Sequence, residues 1–372
     1  MPFSPYNSII IRKDKLKQRC YKYIMKINKI IVLPIIILVF TAIAGCQPDF
    51  SNKNESKYSE KTIFALDTII SLKIYDNISE TQLNAAENKI TQLESLLSVT
   101  SETSDVTNLN QNSGLEVSIS EDTLKVLDTA NKVSDLTDGA LDISVYPLVK
   151  LWGFTTSENH VPNQNQINQA LQKVDYTKIQ FDKNKKTARL GVDTQIDLGA
   201  VAKGYISEQL KDFLKQNNIK SAVLSFGGNI QTIGTKNGEP WKIGIKYPLT
   251  NESFAVLQEE EIAVVTSATD QRYFEQDGKM YHHIIDPKTG YPVQNGTFSA
   301  TVICDSGTKA DALSTALFVM GIEKAKKLYR NSSDFEFVIL DDNNNVYVTS
   351  GLKDKFSLTE QYKKLNIIFI EK

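Results

Sequence analysis

The sequence predicts an α+β fold: one domain of mixed and antiparallel sheets with helices packed against them. Strand-like and helix-like segments are both abundant, but they do not alternate in the regular βαβ units of a doubly wound sheet. From about residue 61 to the end, no Pro/Gly/Ser-rich linker and no internal repeat divides the chain. The cysteines offer no disulfide scaffold, so a hydrophobic core must supply the stability, and a chain this long can bury a large one.

The first element is a targeting segment. A basic stretch precedes the apolar run IIVLPIIILVFTAIA, which ends at Gly45. A positive region, a short apolar run and small residues at a cut site are the order of a secretory signal. The run is shorter than the roughly 20 residues a membrane-spanning helix needs, which disfavours the competing interpretation of a membrane helix with an incidental cysteine. Ile43-Ala44-Gly45-Cys46 resembles the lipobox of bacterial lipoproteins. That resemblance implies cleavage before Cys46, lipidation of its thiol, and a mature chain on the extracytoplasmic face of the cell membrane. Met25-Lys26-Ile27-Asn28-Lys29 makes a compact basic region and points to Met25 as the start of translation. The expected organisation is thus a signal at 1–45, a polar tether at 46–60 and a domain at 61–372.

Within the domain, Phe64–Ile74 reads as a strand. Ser79 with Gln82 makes a capping box for a helix whose apolar face is Leu83, Ala86, Ile90, Leu93 and Leu97. Ser120 opens a second helix with Leu124, Leu127 and Val133 inward, closed at Asp138-Gly139. Gln164–Lys173 is a third. Thr187–Asp197 reads as strands leading straight into a helix at Ala200–Gln216. Ser221–Ser225 is a buried strand ending at Gly227-Gly228. Short strands are expected at 241–246, 262–266, 280–285 and 298–304, a long helix at about 307–330, and a hairpin from Phe335–Leu340 and Val346–Thr349.

Removing residues 1–45 takes away eight Lys/Arg and one acid, leaving 34 basic and 43 acidic residues, a net charge of −9. Such a surface repels polyanions and argues against nucleic-acid binding. Cys20 leaves with the signal and Cys46 takes the lipid, so only Cys304 remains.

Five segments carry chemistry. In KADALSTALF, Asp311, Ser314 and Thr315 stand at i, i+3 and i+4 of a helix and share a face. A carboxylate with hydroxyl oxygens suits a hard cation such as Mg²⁺, although an acid near a helix N-terminus is favourable with no metal at all. Asp197-Leu198-Gly199-Ala200-Val201-Ala202-Lys203-Gly204 runs through small residues into a helix start, a place for backbone to meet phosphate or simply for tight packing. His283 precedes the turn Asp286-Pro287-Lys288-Thr289-Gly290, beside His282. A histidine there is either a base near neutral pH or a structural imidazole. Asp138-Gly139-Ala140-Leu141-Asp142 and Ser225-Phe226-Gly227-Gly228-Asn229 are turns where backbone could approach a ligand. No Ser-His-Asp triad and no cysteine–histidine zinc spacing is present.

In this order the segments DGALDISVYPLVKLWGF, IDLGAVAKGY, LSFGGN, YHHIIDPKTGYPV and KADALSTALFVMG resemble the FAD:protein FMN transferase family, also called ApbE. The likeness runs from about Phe64 to Thr349. It implies an ApbE-like α+β domain that takes FAD as substrate with Mg²⁺ and transfers FMN to a Thr or Ser hydroxyl of an acceptor, a membrane redox subunit or an extracytoplasmic flavoprotein, releasing AMP. Carried onto this sequence, it implies metal ligands at Asp311, Ser314, Thr315 and the Ala200 carbonyl, and FAD contacts at Leu66, Thr100, Ala140, Leu141, Asp142, Asp197, Lys203 and Ile285. His283 takes the family's histidine position before the I-D-P-x-T-G turn and is expected to be the base. The family's M-G-T stands here as Leu66-Asp67-Thr68, its usual aromatic is replaced by Thr100, and Ala268 follows Thr266-Ser267 where glycine is frequent. Two other functions fit the same residues: an FAD pyrophosphatase with water as acceptor, and a flavin-binding lipoprotein without catalysis.

Overall fold

The computed structural model describes residues 58–156, 158–332 and 334–372; the signal segment, Cys46 and most of the tether lie outside them. The main sheet has nine strands, and they stand side by side in the order of the chain. They are β1 (Ser59–Ala65), β2 (Thr68–Ile74), β3 (Ala222–Phe226), β4 (Asn229–Ile233), β5 (Ala263–Ala268), β6 (Thr297–Cys304), β7 (Glu336–Asp341), β8 (Asn345–Thr349) and β9 (Asn366–Ile370). Every neighbouring pair is antiparallel except β8–β9, which is parallel. Each strand therefore lies beside the one before it, and the segments between strands become the layers on either face.

The connections after β2 and β6 hold the helices α1 (Glu80–Leu97), α2 (Asp105–Gln111), α3 (Glu121–Leu136), α4 (Tyr146–Leu151), α5 (Gln164–Leu171), α6 (Ala202–Gln216) and α7 (Gly307–Arg330); α1, α2, α3, α6 and α7 pack on one face of the sheet, and α4 and α5 share a separate small core with Trp152. The other face is covered by a three-stranded sheet of Trp241–Lys246, Ser253–Glu259 and Phe356–Leu358. Strand periodicity divides the cores accordingly. Phe337 and Ile339 of β7 join the helical core, whereas Val338 and Leu340 join the core under Trp241, Phe254 and Phe356. β6 is covered on both faces and is buried almost throughout, its polar Thr297, Ser299 and Thr301 included.

Local sequence explains the helices. Ser79 caps α1 and exchanges hydrogen bonds with Gln82 as predicted, burying Ala86, Ile90, Leu93 and Leu97. Ser120 caps α3, and Asn163 with Gln166 makes a second capping box at α5. α7 keeps its predicted limits but is interrupted at Gly321 (φ 71°). There the Asn295 amide donates to the carbonyls of Phe318 and Val319, satisfying acceptors released by the break.

Several expectations are corrected. Phe64–Ile74 is a hairpin rather than one strand: Ala65 pairs with Thr68 across a two-residue turn of Leu66 and Asp67, both left-handed (φ 55° and 54°). Such turns usually declare themselves by Asn or Gly, and here they do not. β1 starts at Ser59, inside the segment read as tether. The run Thr187–Asp197 forms a strand only over Thr187–Arg189, and α6 starts at Ala202. Beyond that strand a turn closes from Thr194 N–H to the Gly191 carbonyl. The Asn110 side chain then bonds both the N–H and the carbonyl of Ile196, replacing a partner strand. The 280–285 strand ends at His282.

α6 and α7 meet at two glycines. A Cβ on Gly204 would lie 2.1 Å from the Gly307 carbonyl oxygen and 2.6 Å from Asp311 Cβ. Gly204→Ala must push the helices apart, and it is expected to destabilise the protein by about 2 kcal/mol or more. Chemical denaturation checks this, and an unchanged midpoint would show that the contact is slack.

Candidate active site

A large cavity of about 910 Å³ opens where the β1–β2 turn, the start of α6, the start of α7 and the segment 266–287 converge. Its floor is built at the α6–α7 junction. Val201, the N-cap of α6, offers no side-chain cap, so the first-turn N–H groups need acceptors from elsewhere. Asp311 Oδ2 supplies one, accepting from Gly204 N–H at 2.8 Å. Glu208 does the reciprocal service for α7: its carboxylate accepts from Thr308 N–H and Ser306 Oγ, both at 2.9 Å. Each helix thus caps the other, and Asp311 ends up 3% exposed at the cavity floor.

Burial raises the Asp311 carboxyl above the usual range, with the Lys203 ammonium and the Gly204 N–H pulling the other way. Asn229, 2% exposed, lies beside it, its side-chain amide also helping to hold the carboxyl down. Ser267 Oγ lies 2.8 Å from Ser314 Oγ and 3.3 Å from Thr315 Oγ1. One carboxylate in a cavity that Ala200, Ser267 and Thr315 also line is an oxygen set that fits a hard cation shared with a ligand phosphate. Among the described residues no cluster of three or more His, Cys, Asp or Glu offers a fuller metal site. Ser314 departs from expectation. It is fully buried and does not line the cavity, and its hydroxyl is spent on the Asp311 carbonyl and on Ser267.

His283 lines the same cavity, half-buried. Its Nδ1 lies 3.2 Å from the Arg272 carbonyl oxygen, an acceptor only. Nδ1 must therefore carry the proton, which leaves Nε2 as the basic nitrogen. Burial, then the Arg272 and Lys203 cations, push the imidazole down to about 3, so it is neutral at neutral pH. His282 is the structural member of the pair: 4% exposed, it bonds the Val293 carbonyl through Nε2 and packs edge-on against Phe318.

The remaining predicted contacts converge on the same cavity. Leu66, Thr100, Ala140, Leu141, Asp142, Asp197, Lys203 and Ile285 all line it. The Asp142 carboxylate is committed elsewhere, accepting from Ser144 N–H, Ser144 Oγ and Tyr176 N–H, so its segment meets a ligand through other atoms. Burial likewise raises Asp197, whose Oδ1 accepts from Gly199 N–H. A third core behind the cavity, of Leu148, Trp152, Ile167 and Ile285, joins the Asp138–Phe154 motif to the Asp-Pro turn. Trp152 Nε1 donates to the Gly290 carbonyl at 2.9 Å, and a Cβ on Gly290 (φ 75°) would strike Ile167. Sequence reasoning missed Ser267 and Arg272 as cavity residues. The arginine carried a signal, since it is a cation four residues beyond the end of β5.

The sequence model of the ApbE family matches residues 66–339. The FAD:protein FMN transferase of Klebsiella pneumoniae is 32% identical over 292 residues, covering 77% of this chain and 90% of that protein. That of Haemophilus influenzae is 34% identical over 270 residues, covering 69% and 78%. The crystal structure of the ApbE protein of Thermotoga maritima superposes with a TM-score of 0.72 at 31% identity, over 83% of this chain and 99% of that one. The flavin transferase ApbE of Vibrio cholerae superposes with a TM-score of 0.70 at 25% identity, again over 83% and 99%.

The depressed imidazole makes a signed prediction. As pH falls below about 6.5 an unfolded chain protonates His283, whereas the folded protein resists until about 3. The residue therefore removes stability as pH drops through that window and has no effect above it. His283→Gln should lose less stability than wild type between pH 7 and pH 5 in denaturant titrations. Parallel losses in the two proteins would refute the assignment.

Proposed function

The chain belongs to the ApbE family, and from that membership we propose that it moves FMN from FAD to a Thr or Ser hydroxyl of an acceptor protein with the help of Mg²⁺. Flavin transfer is its activity; the metal, the hydroxyl and the roles below are our reading. The observation that carries it is the pairing of a neutral imidazole, basic at Nε2, with the buried Asp311 in one cavity large enough for a dinucleotide.

Asp311, Thr315 and the Ala200 carbonyl would hold the cation, with Ser314 supporting them from behind through Ser267. When bound, Mg²⁺ neutralises charge on the pyrophosphate oxygens and the departing phosphate. Lys203 and Arg272, both lining the cavity, add fixed positive charge for the same phosphates. In the transfer, the acceptor oxygen bonds to the FMN phosphorus while the bond from that phosphorus to the bridging oxygen breaks. AMP leaves with that oxygen, and the hydroxyl proton passes to His283 Nε2. The nucleophile comes from the acceptor, which is why the cavity needs a base and a cationic floor rather than a serine of its own.

Location belongs to the same proposal. The apolar run and Ile43-Ala44-Gly45-Cys46 support a lipid on Cys46 and a domain held outside the cytoplasmic membrane. Among the described residues no helix is long and apolar enough to cross a membrane.

The full chain, incubated with FAD, Mg²⁺ and an acceptor, should add one FMN to a Thr or Ser and release AMP, both read by mass spectrometry. His283→Ala is expected to lower transfer by at least about a hundredfold while FAD affinity stays near wild type. Unchanged transfer removes His283 from the chemistry, and free FMN beside an unmodified acceptor would instead make the chain a pyrophosphatase.

A further inference from the structure

Two hairpin tips whose residues Leu66–Thr68, Pro248 and Thr250 line the cavity carry, next to those residues, apolar side chains that the free protein does not bury. Phe64 and Ile69 are register partners across the β1–β2 hairpin, 77% and 66% exposed, one residue from its turn. They sit on the sheet face that Ser71 shares with its cross-strand partner Ser225, a cavity residue. Leu249, 56% exposed, caps the tip between strands Trp241–Lys246 and Ser253–Glu259. Its backbone is left-handed (φ 65°), a conformation a leucine adopts at a cost.

Both tips are tied to one short segment of the rim. Asp67 Oδ2 lies 3.1 Å from Arg272 Nη2, and Leu249 N–H donates to Asp270 Oδ2 at 2.8 Å. The two tips that carry these apolar groups are therefore held by residues 270–272, next to His283, whose ring the Arg272 carbonyl orients. Strain at an exposed leucine gives the isolated protein no burial in return, and such outliers gather where a partner or ligand is met.

We infer that Phe64, Ile69 and Leu249 are the docking rim for the acceptor polypeptide, gripping apolar side chains that flank its Thr or Ser. This rests on the transfer proposed above, in which a protein hydroxyl must enter the mouth at every turnover. That requirement selects the occupant. A lipid surface or a second copy of this chain seated on the rim would close the opening that FAD and the hydroxyl have to use.

The test uses the full chain in detergent, with an apo flavoprotein domain bearing a single acceptor Thr. Two variants remove the rim without touching cavity chemistry: Phe64→Ser combined with Ile69→Ser, and Leu249→Gly, which also relieves the strain. Each is expected to raise KM for the acceptor protein, the double variant by about tenfold, with FAD affinity by flavin fluorescence unchanged. Leu249→Gly should do so while equalling or exceeding wild type in thermal stability, which separates docking from unfolding. An unchanged KM in both variants overturns the inference. So does a parallel loss of FAD affinity, which would place the rim in the flavin site, or a loss confined to binding of phosphatidylglycerol vesicles, which would make it a lipid contact. A wild-type chain that leaves the acceptor unmodified sinks the transfer itself, and the docking rim with it.

Discussion

The site depends on two helices approaching as closely as backbone allows. Gly204 and Gly307 face each other with no room for a side chain on the first, and the approach brings Asp311 against the uncapped start of α6. A carboxylate buried to this degree is costly unless its charge is compensated. Here the helix N-terminus, the Gly204 N–H and the nearby Lys203 compensate only in part, because the Asp311 carboxyl remains raised. The junction therefore holds an acid that a hard cation would stabilise further, and it holds it rigidly. Glu208 fixes the partner helix in the same way, so neither helix can rotate without exposing first-turn N–H groups.

Around that floor the rest of the fold acts as a positioning device. Because the nine strands follow chain order, each connection projects from one face or edge, and the connections after β2 and β5 deliver the two halves of the cavity. The first brings the Asp138–Phe154 segment and the approach to α6. The second brings Arg272 and His283. The small core around Trp152 locks these halves together through the Gly290 carbonyl, which explains why an aromatic far from the floor accompanies the histidine turn.

Much of this was legible in the sequence where chemistry is local. The Ser79 and Ser120 caps, the limits of α7 and the shared face of Asp311 and Thr315 follow from spacing alone. The resemblance contributed His283 and the cofactor contacts, which spacing by itself left open between base and structural imidazole. What stayed hidden depends on partners distant in the chain. Ser314 shares the Asp311 face by periodicity, but packing against β5 turns its hydroxyl to Ser267 and away from the cavity. The Leu66-Asp67 turn lacks the residues that usually announce left-handed backbone. Residues 190–197 look like strand because their apolar positions are buried, yet an asparagine side chain from α2 satisfies the backbone where a strand would have.

The central claim is that the α6–α7 junction makes FAD binding depend on a cation through Asp311. The most direct measurement is the quenching of flavin fluorescence as FAD is titrated into the full chain, with and without Mg²⁺, for wild type and Asp311→Asn. The account predicts that Mg²⁺ tightens FAD binding to wild type and has little effect on the variant, whose amide still accepts from Gly204 N–H. Equal Mg²⁺ dependence in both proteins, or none in wild type, would contradict it.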